Sequence, residues 1–307
     1  MSQFISHAQN FEDVMLWRAL RDVERGFYID IGANLPHADS VTKAFYDRGW
    51  HGVNVEPDTY TFGVLAEGRP RDINLHLACW QDAGLHTLYL IDESAAFSTL
   101  EPAMAEIHRQ AGRTVREVPL QTTTLAALCA EYVGERDIHF LKIDVEGGEV
   151  GVVRGADFTR WRPWIILGEA HGPDPRVNFY QPWEDILLSQ GYGFAYCDGL
   201  NRFYIADEHR ERLAPAFMVP PNVYDEFVRA PEAAAIERIA FAEQARAEAL
   251  AQVENAKQRI VAMESELAAA QAQTEAAGRD LATLRRVARQ LIPGPMRRLA
   301  WRLVRTD

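Results

Sequence analysis

The feature that most constrains this chain is the regular exchange of short apolar runs with amphipathic stretches over its first 230 residues. Phe27–Ile31, Gly52–Glu56, Ile73–Cys79, Ile138–Asp144, Trp164–Glu169, Tyr192–Cys197 and Arg202–Ala206 read as strands. Helical patterns such as Ser40–Arg48, Leu125–Tyr132 and Glu184–Gln190 lie between most of them. This alternation predicts an α/β fold built on a mainly parallel seven-stranded sheet covered on both faces. Only "DGLN" separates the last two runs, a hairpin-type turn, so the last strand should be antiparallel.

A second style of sequence begins after Pro231 and stays nearly free of Gly and Pro up to Pro293. Ile239, Arg246, Val253, Ile260, Leu267, Thr274 and Leu281 occupy one heptad position. Ala242, Ala249, Ala256, Met263, Ala270, Ala277 and Leu284 occupy the other. So narrow an apolar stripe suits a coiled coil better than a globular helix, and predicts homo-oligomers through residues 239–284. Arg246 and Thr274 interrupt the seam, so a solvated single helix is the alternative, and strand number and orientation stay open. Three segments follow: a globular domain over 1–230, a coiled-coil helix over 231–292 and a basic amphipathic tail over 293–307.

With 48% hydrophobic and 25% charged residues, the composition suits a soluble globular protein. The net charge of −12 argues against nucleic acid as the main partner. Residues 285–307 hold seven arginines against one acid, leaving −18 on the rest. The segment "MRRLAWRLVRTD", residues 296–307, could therefore give weak, salt-sensitive attachment to a membrane surface, or simply be a solvated end. No signal peptide or membrane span is read, and Cys79, Cys129 and Cys197 match no metal or redox spacing. The expected location is the cytoplasm, with the tail able to meet the inner membrane face.

Chemistry concentrates at strand ends, where open α/β sheets bind ligands. The first strand runs into Asp30 and the bend Gly32-Ala33-Asn34, and the second ends in Glu56. One glycine and an acid make a poor pyrophosphate cradle, whereas a carboxylate there attracts a cation such as S-adenosylmethionine. Gly32 would let the backbone approach that ligand, and Glu56 would accept hydrogen bonds from its ribose. The fourth strand, "FLKIDVEGGE", presents Asp144 and Glu146 at the same edge. The competing reading is that Asp30, Asn34 or one of the later acids only caps a helix.

"SHAQNFEDVMLWRAL", "FYIDIGAN", "FYDRGWHGVNVEP", "LKIDVEGGE" and "RPWIILGEA" together resemble the FkbM family of S-adenosylmethionine-dependent methyltransferases. "GYGFAYCDGLNRFYIA" and "VPPNVYDEF" are similar to members associated with bacterial surface polysaccharides. The resemblance spans roughly residues 6–228 and departs from the family at Leu35-Pro36-His37 and at "VEGGE". It implies a class I methyltransferase fold and O-methylation of a hydroxyl on a sugar or a polyketide, and it makes Gln9 and Asp13 cofactor neighbours.

Methyl transfer to a hydroxyl needs a proton acceptor. The candidates are Asp144 and Glu146, then Glu169 and His171 in "ILGEAHGPD". Asn201 and Arg202 of the "DGLNRFY" turn are candidates for holding a glycan, and so are Ser98 and Thr99 in a long connection, residues 92–118, read as a mobile lid. No metal is expected, since no cluster has metal-ligand spacing. The runner-up function is a non-catalytic scaffold that organises an assembly through its coiled coil.

Overall fold

The computed structural model describes residues 3–92, 94–170 and 180–291. The chain divides into two units, Met1–Ala233 and Ala234–Asp307. The first unit starts with β1 (Phe4–Ser6) and α1 (Glu12–Leu20). Two crossovers follow: β2 (Phe27–Ile31), α2 (Lys43–Asp47), β3 (His51–Val55), α3 (Thr59–Gly68) and β4 (Ile73–Leu75). Next comes a block of β5 (Ala78–Cys79), β6 (Gly84–Ile91), β7 (Ser94–Thr99), α4 (Pro102–Gln110) and β8 (Val115–Thr123). The chain returns through α5 (Leu125–Leu128), β9 (Phe140–Ile143), α6 (Glu149–Arg154), β10 (Ile165–Glu169) and α7 (Gln181–Ser189). It closes with β11 (Tyr192–Cys197), β12 (Asn201–Ala206), α8 (Arg210–Leu213) and β13 (Phe227–Arg229), the last paired with β1.

Seven strands form the central sheet in the order β11-β12-β10-β9-β2-β3-β4. β12 is antiparallel to both neighbours and the remaining pairs are parallel. The strand order reverses between β2 and β9, which makes a crevice at their carboxyl ends. Successive side chains point to opposite faces. Ile29 and Ile31 therefore pack with Val53, Leu141 and Ile143, while Tyr28 joins Phe45, Trp50 and Phe140 on the other side. Burial on both faces explains why β2 and β9 read as almost unbroken apolar runs.

Two readings of the sequence need correction here. The run Ile73–Cys79 is not one strand: β4 stays in the central sheet, while β5 pairs with β8 in a separate four-stranded sheet, β5-β8-β6-β7. The connection 92–118 is not a long loop acting as a lid. Most of it belongs to β7, α4 and β8, with β8 paired to β6 from Gly84↔Thr122 to Ile91↔Val115. The period-two pattern of 84–91 and 115–123 was the available signal, and Pro102 marks the first turn of α4.

Asn10, three residues before Asp13, does not cap α1. Phe11 takes the cap position in a left-handed conformation, φ 65°. The Asn10 side chain instead donates to the Asp198 carbonyl. Asp13 accepts from Ser6 Oγ and from the His7 and Ala8 amides, which fastens β1 to α1.

The second unit is described by α9, Ala230–Leu291, a single helix of 62 residues with no buried residue, as the lack of internal proline allows. The tail 293–307 lies outside the described residues. Among the described residues no helix is long and apolar enough to cross a membrane.

A buried polar group sets the sheet's outer register. Asp72 accepts from Tyr28 Oη at 2.6 Å, from Asn54 Nδ2 at 3.0 Å and from the Gly52 amide at 2.9 Å. Tyr28→Phe leaves the ring packed but removes one donor from a buried carboxylate. It should cost about 1–3 kcal/mol in urea unfolding. A loss below about 0.5 kcal/mol would mean that Asp72 does not depend on the phenol.

Candidate active site

The crevice between the ends of β2 and β9 opens into a cleft of about 530 Å³. Gly32, Ala33, Asn34 and Glu56 line one side, and Lys142, Asp144, Glu146 and Glu169 another. Gln9, Glu12 and Asn201 close a third. β7, α4 and the turn between them supply Phe97, Ser98, Leu100 and His108.

Lys142 organises the floor. Its Nζ lies 3.3 Å from Asp30 Oδ1 and 3.2 Å from Asp144 Oδ2, and donates to the Gly32 carbonyl at 3.0 Å. Burial alone would push the amine down, but Asp144 and Asp30 hold it well above the ordinary lysine range. Asp30 itself is 1% exposed, takes a further bond from Thr42 Oγ1, and does not line the cleft. Its charge answers Lys142 rather than a ligand, which corrects the role expected for it.

Gly32 has a steric purpose beside the one expected. At φ +79° it turns the chain off β2, and a Cβ there would run into the Asp144 carbonyl oxygen. The missing side chain lets the ends of β2 and β9 approach each other, and Gly32 also lines the cleft. The Gly32 and Ala33 amides both donate to Val55 O, and Asp144 N donates to Ile31 O.

Glu56 Oε2 accepts from Asn34 N at 2.9 Å and Oε1 from Asp58 N at 2.8 Å. Each oxygen keeps a second lone pair for the cleft. Burial raises its carboxyl to about 7. Glu149, unnoticed in the sequence, reaches back from α6 to accept from the Val145 and Gly147 amides and so shapes the loop that carries Glu146. Glu146 sits in that loop at φ 54°. Burial, then Asp144 and Glu149, raise its carboxyl to about 8. Burial, Asp144 and Glu146 likewise hold Glu169 far above the usual carboxylate range.

The other expected residues divide between cleft and scaffold. Gln9, Ser98 and Asn201 line the cleft; Asp13, Thr99 and Arg202 do not. Asp13 is fully buried in the β1–α1 connection, and Thr99 Oγ1 accepts from Glu101 N. Arg202 donates to Glu184 and Tyr204 and stacks over Tyr180 and Phe194. His171 lies outside the described residues. Glu12, Lys142, His108 and Arg113 are among the cleft residues the sequence reading missed. Glu12 Oε1 accepts from Asn201 Nδ2 at 2.7 Å, and burial raises its carboxyl to about 7.

Among the described residues, Asp144, Glu146 and Glu169 form the one trio whose ligand oxygens lie within 4.8 Å of one another, close enough to hold a metal ion. Residues from two different strands assemble it, so local spacing could not reveal it.

The fold and site together define an open α/β protein with a carboxylate-rimmed cleft at the switch point of a mainly parallel sheet. The family model described as "Methyltransferase FkbM domain" matches residues 30–194, more than half of the chain, and the chain belongs to that methyltransferase family. Among solved structures, a Methanococcus jannaschii fibrillarin pre-rRNA processing protein is similar at 11% identity and a TM-score of 0.34, over 60% of this chain and 67% of that one. Cofactor-bound Rv0187 from MTB is similar at 10% identity and a TM-score of 0.31, over 67% of this chain and 84% of that one. No curated protein sequence matches the chain.

Two outcomes follow from this charge arrangement. Lys142→Met strands Asp30 as an unpaired buried carboxylate and should destabilise the fold by roughly 3–5 kcal/mol. Adding Asp30→Asn should recover part of the loss. If the double variant is no more stable than the single one in chemical denaturation, Asp30 is not the partner that matters. Glu12, Glu56, Glu146 and Glu149 all bind protons more tightly in the folded chain than their usual 4.5. Their stabilising share is therefore complete below about pH 4.5 and is lost as pH rises through 7–8. The melting temperature of the ligand-free protein should fall between pH 5.5 and 8.5 by at least about 2–4 °C, the effect of about 1 kcal/mol in a domain this size. A flat profile would contradict the buried-acid arrangement.

Proposed function

We propose that the protein is an S-adenosylmethionine-dependent O-methyltransferase acting on a hydroxyl of a sugar, in a bacterial surface polysaccharide or a glycolipid precursor. The observation that carries the reading is the excess of carboxylates over cations in the cleft. Glu12, Glu56, Asp144, Glu146 and Glu169 face it against Lys142 and Arg113. That donor set fits a ligand carrying a sulfonium and an ammonium group, and Glu56 fits a ribose. When bound, S-adenosylmethionine supplies an electrophilic methyl group.

The chain's own residues supply position and a proton acceptor. Gly32, Ala33 and Asn34, with Glu56, form the side of the cleft that would hold the donor. Asn201, held by Glu12, and the wall from Phe97 to Leu100 face the acceptor. Asp144 is tied to Lys142 and is fixed as a positioning group. Among the described residues no ion pair tethers Glu146, and burial raises its carboxyl to about 8, so once ionised it takes a proton readily, with Glu169 beside it. The sugar acceptor rests on the likeness of residues 191–206 and 219–227 to polysaccharide-associated family members. The cytoplasm, where the methyl donor is abundant, suits such an enzyme.

Calorimetry with S-adenosylmethionine is the first test, and absence of binding would favour the scaffold reading. Glu56→Ala should weaken donor binding by about 1.5–3 kcal/mol, roughly 10- to 100-fold. Glu146→Gln should lower kcat by at least about 100-fold on an accepting glycan while leaving donor affinity intact. Wild-type turnover in that variant would move the proton acceptor to Glu169.

A further inference from the structure

No residue of α9 is buried, and most of its large apolar side chains form one narrow stripe, although Ile236, Phe241, Leu250 and Val261 lie off that stripe. Ile239, Val253, Ile260, Met263, Leu267, Leu281 and Leu284 are 50–66% exposed, and all fall on the two heptad core positions. A stripe of that width is too narrow for a lipid surface and matches the seam of a coiled coil. Its occupant can be read from the residues flanking it.

In a parallel, in-register pair, each residue just before the first core position faces the partner's residue five positions later, beside the second core position. The charged pairs so formed are Arg238 with Glu243, Arg259 with Glu264 and Asp280 with Arg285, read from the sequence. All three are attractive, they recur every 21 residues, and the remaining flanking pairs contain at most one charge. Sliding one helix by a heptad removes all three and, on one side, sets Arg259 against Lys257 and Glu266 against Glu264. A fully overlapped antiparallel pair keeps end contacts such as Arg238 with Asp280. It also sets Arg259 against its own copy and Glu264 against its own copy at the centre. Arg246 interrupts the core in every arrangement, and its long stem can carry the charge out to solvent at a two-stranded seam.

We propose that α9 pairs with α9 of a second copy of this chain as a parallel, in-register, two-stranded coiled coil. The flanking charges select that register. The alanines at 242, 249, 256, 270 and 277 bring the helices close but bury little, so the pair depends on concentration and on salt.

The full-length protein should sediment at twice its 34.7 kDa mass at micromolar concentration. Glu264→Arg should weaken the dimer by at least about tenfold, and Arg259→Glu added to it should restore it. Orientation is read by oxidative cross-linking. Ala242→Cys and Ala277→Cys should each form a disulfide-linked homodimer alone, at a level well above the wild-type background from Cys197. Cross-links only in a mixture of the two variants would establish an antiparallel pair and overturn the proposal. A monomer at 100 μM, a trimeric mass, or failure of the double charge swap to restore association would also overturn it. None of these readouts depends on methyl transfer.

Discussion

The ammonium of Lys142, clamped between Asp30 and Asp144 and bonded to the Gly32 carbonyl, is the interaction on which the rest of the cleft depends. It joins the ends of β2 and β9 at the point where the strand order reverses. Without it, two carboxylates would face each other across the centre of the sheet. A buried ion pair seldom adds net stability, but breaking one leaves a charge that water cannot reach. The clamp therefore fixes geometry more than it strengthens the fold. Gly32 supplies the sterically necessary half of the same joint, because only a residue without a side chain lets the Asp144 carbonyl sit where it does.

The acids around this joint share one physical condition. Glu56, Glu146 and Glu169 are buried, the last two near like charges, and burial disfavours their ionised forms. A cationic ligand entering the cleft would release protons as it binds, so affinity and pH are coupled through Glu56, Glu146 and Glu169. The same condition explains how a carboxyl group can be basic enough at neutral pH to receive a proton from a hydroxyl.

Much of this was legible in the residues. The apolar runs mark the seven strands of the central sheet to within a few positions, and Asp144, Glu146, Glu56 and Asn201 were recognisable as strand-end polar groups. Lys142 was passed over because alternation along "LKIDVE" reads as an exposed face, whereas a parallel strand covered by helices has no exposed face. Asp30 was given to the ligand because its partner, Lys142, lies on another strand more than a hundred residues away. The four-stranded sheet escaped notice because β5 has only two residues and the paired strands β6 and β8 are separated by β7 and α4. Glu12 and Glu149 act by reaching back from helix starts, and such backward contacts resemble ordinary first-turn acids in a sequence.

The two sheets differ in what they can tolerate. The floor of the cleft is fixed by pairings within the central sheet, where a change at Gly32, Asp30 or Lys142 disturbs three strands together. The wall carrying Phe97, Ser98, Leu100 and His108 is built by β7, α4 and the turn between them, and β7 belongs to a sheet whose hydrogen bonds are its own. Residues there can be exchanged one at a time without loosening the floor. Substitutions can thus reshape that wall one side chain at a time, while the floor beneath it keeps its geometry.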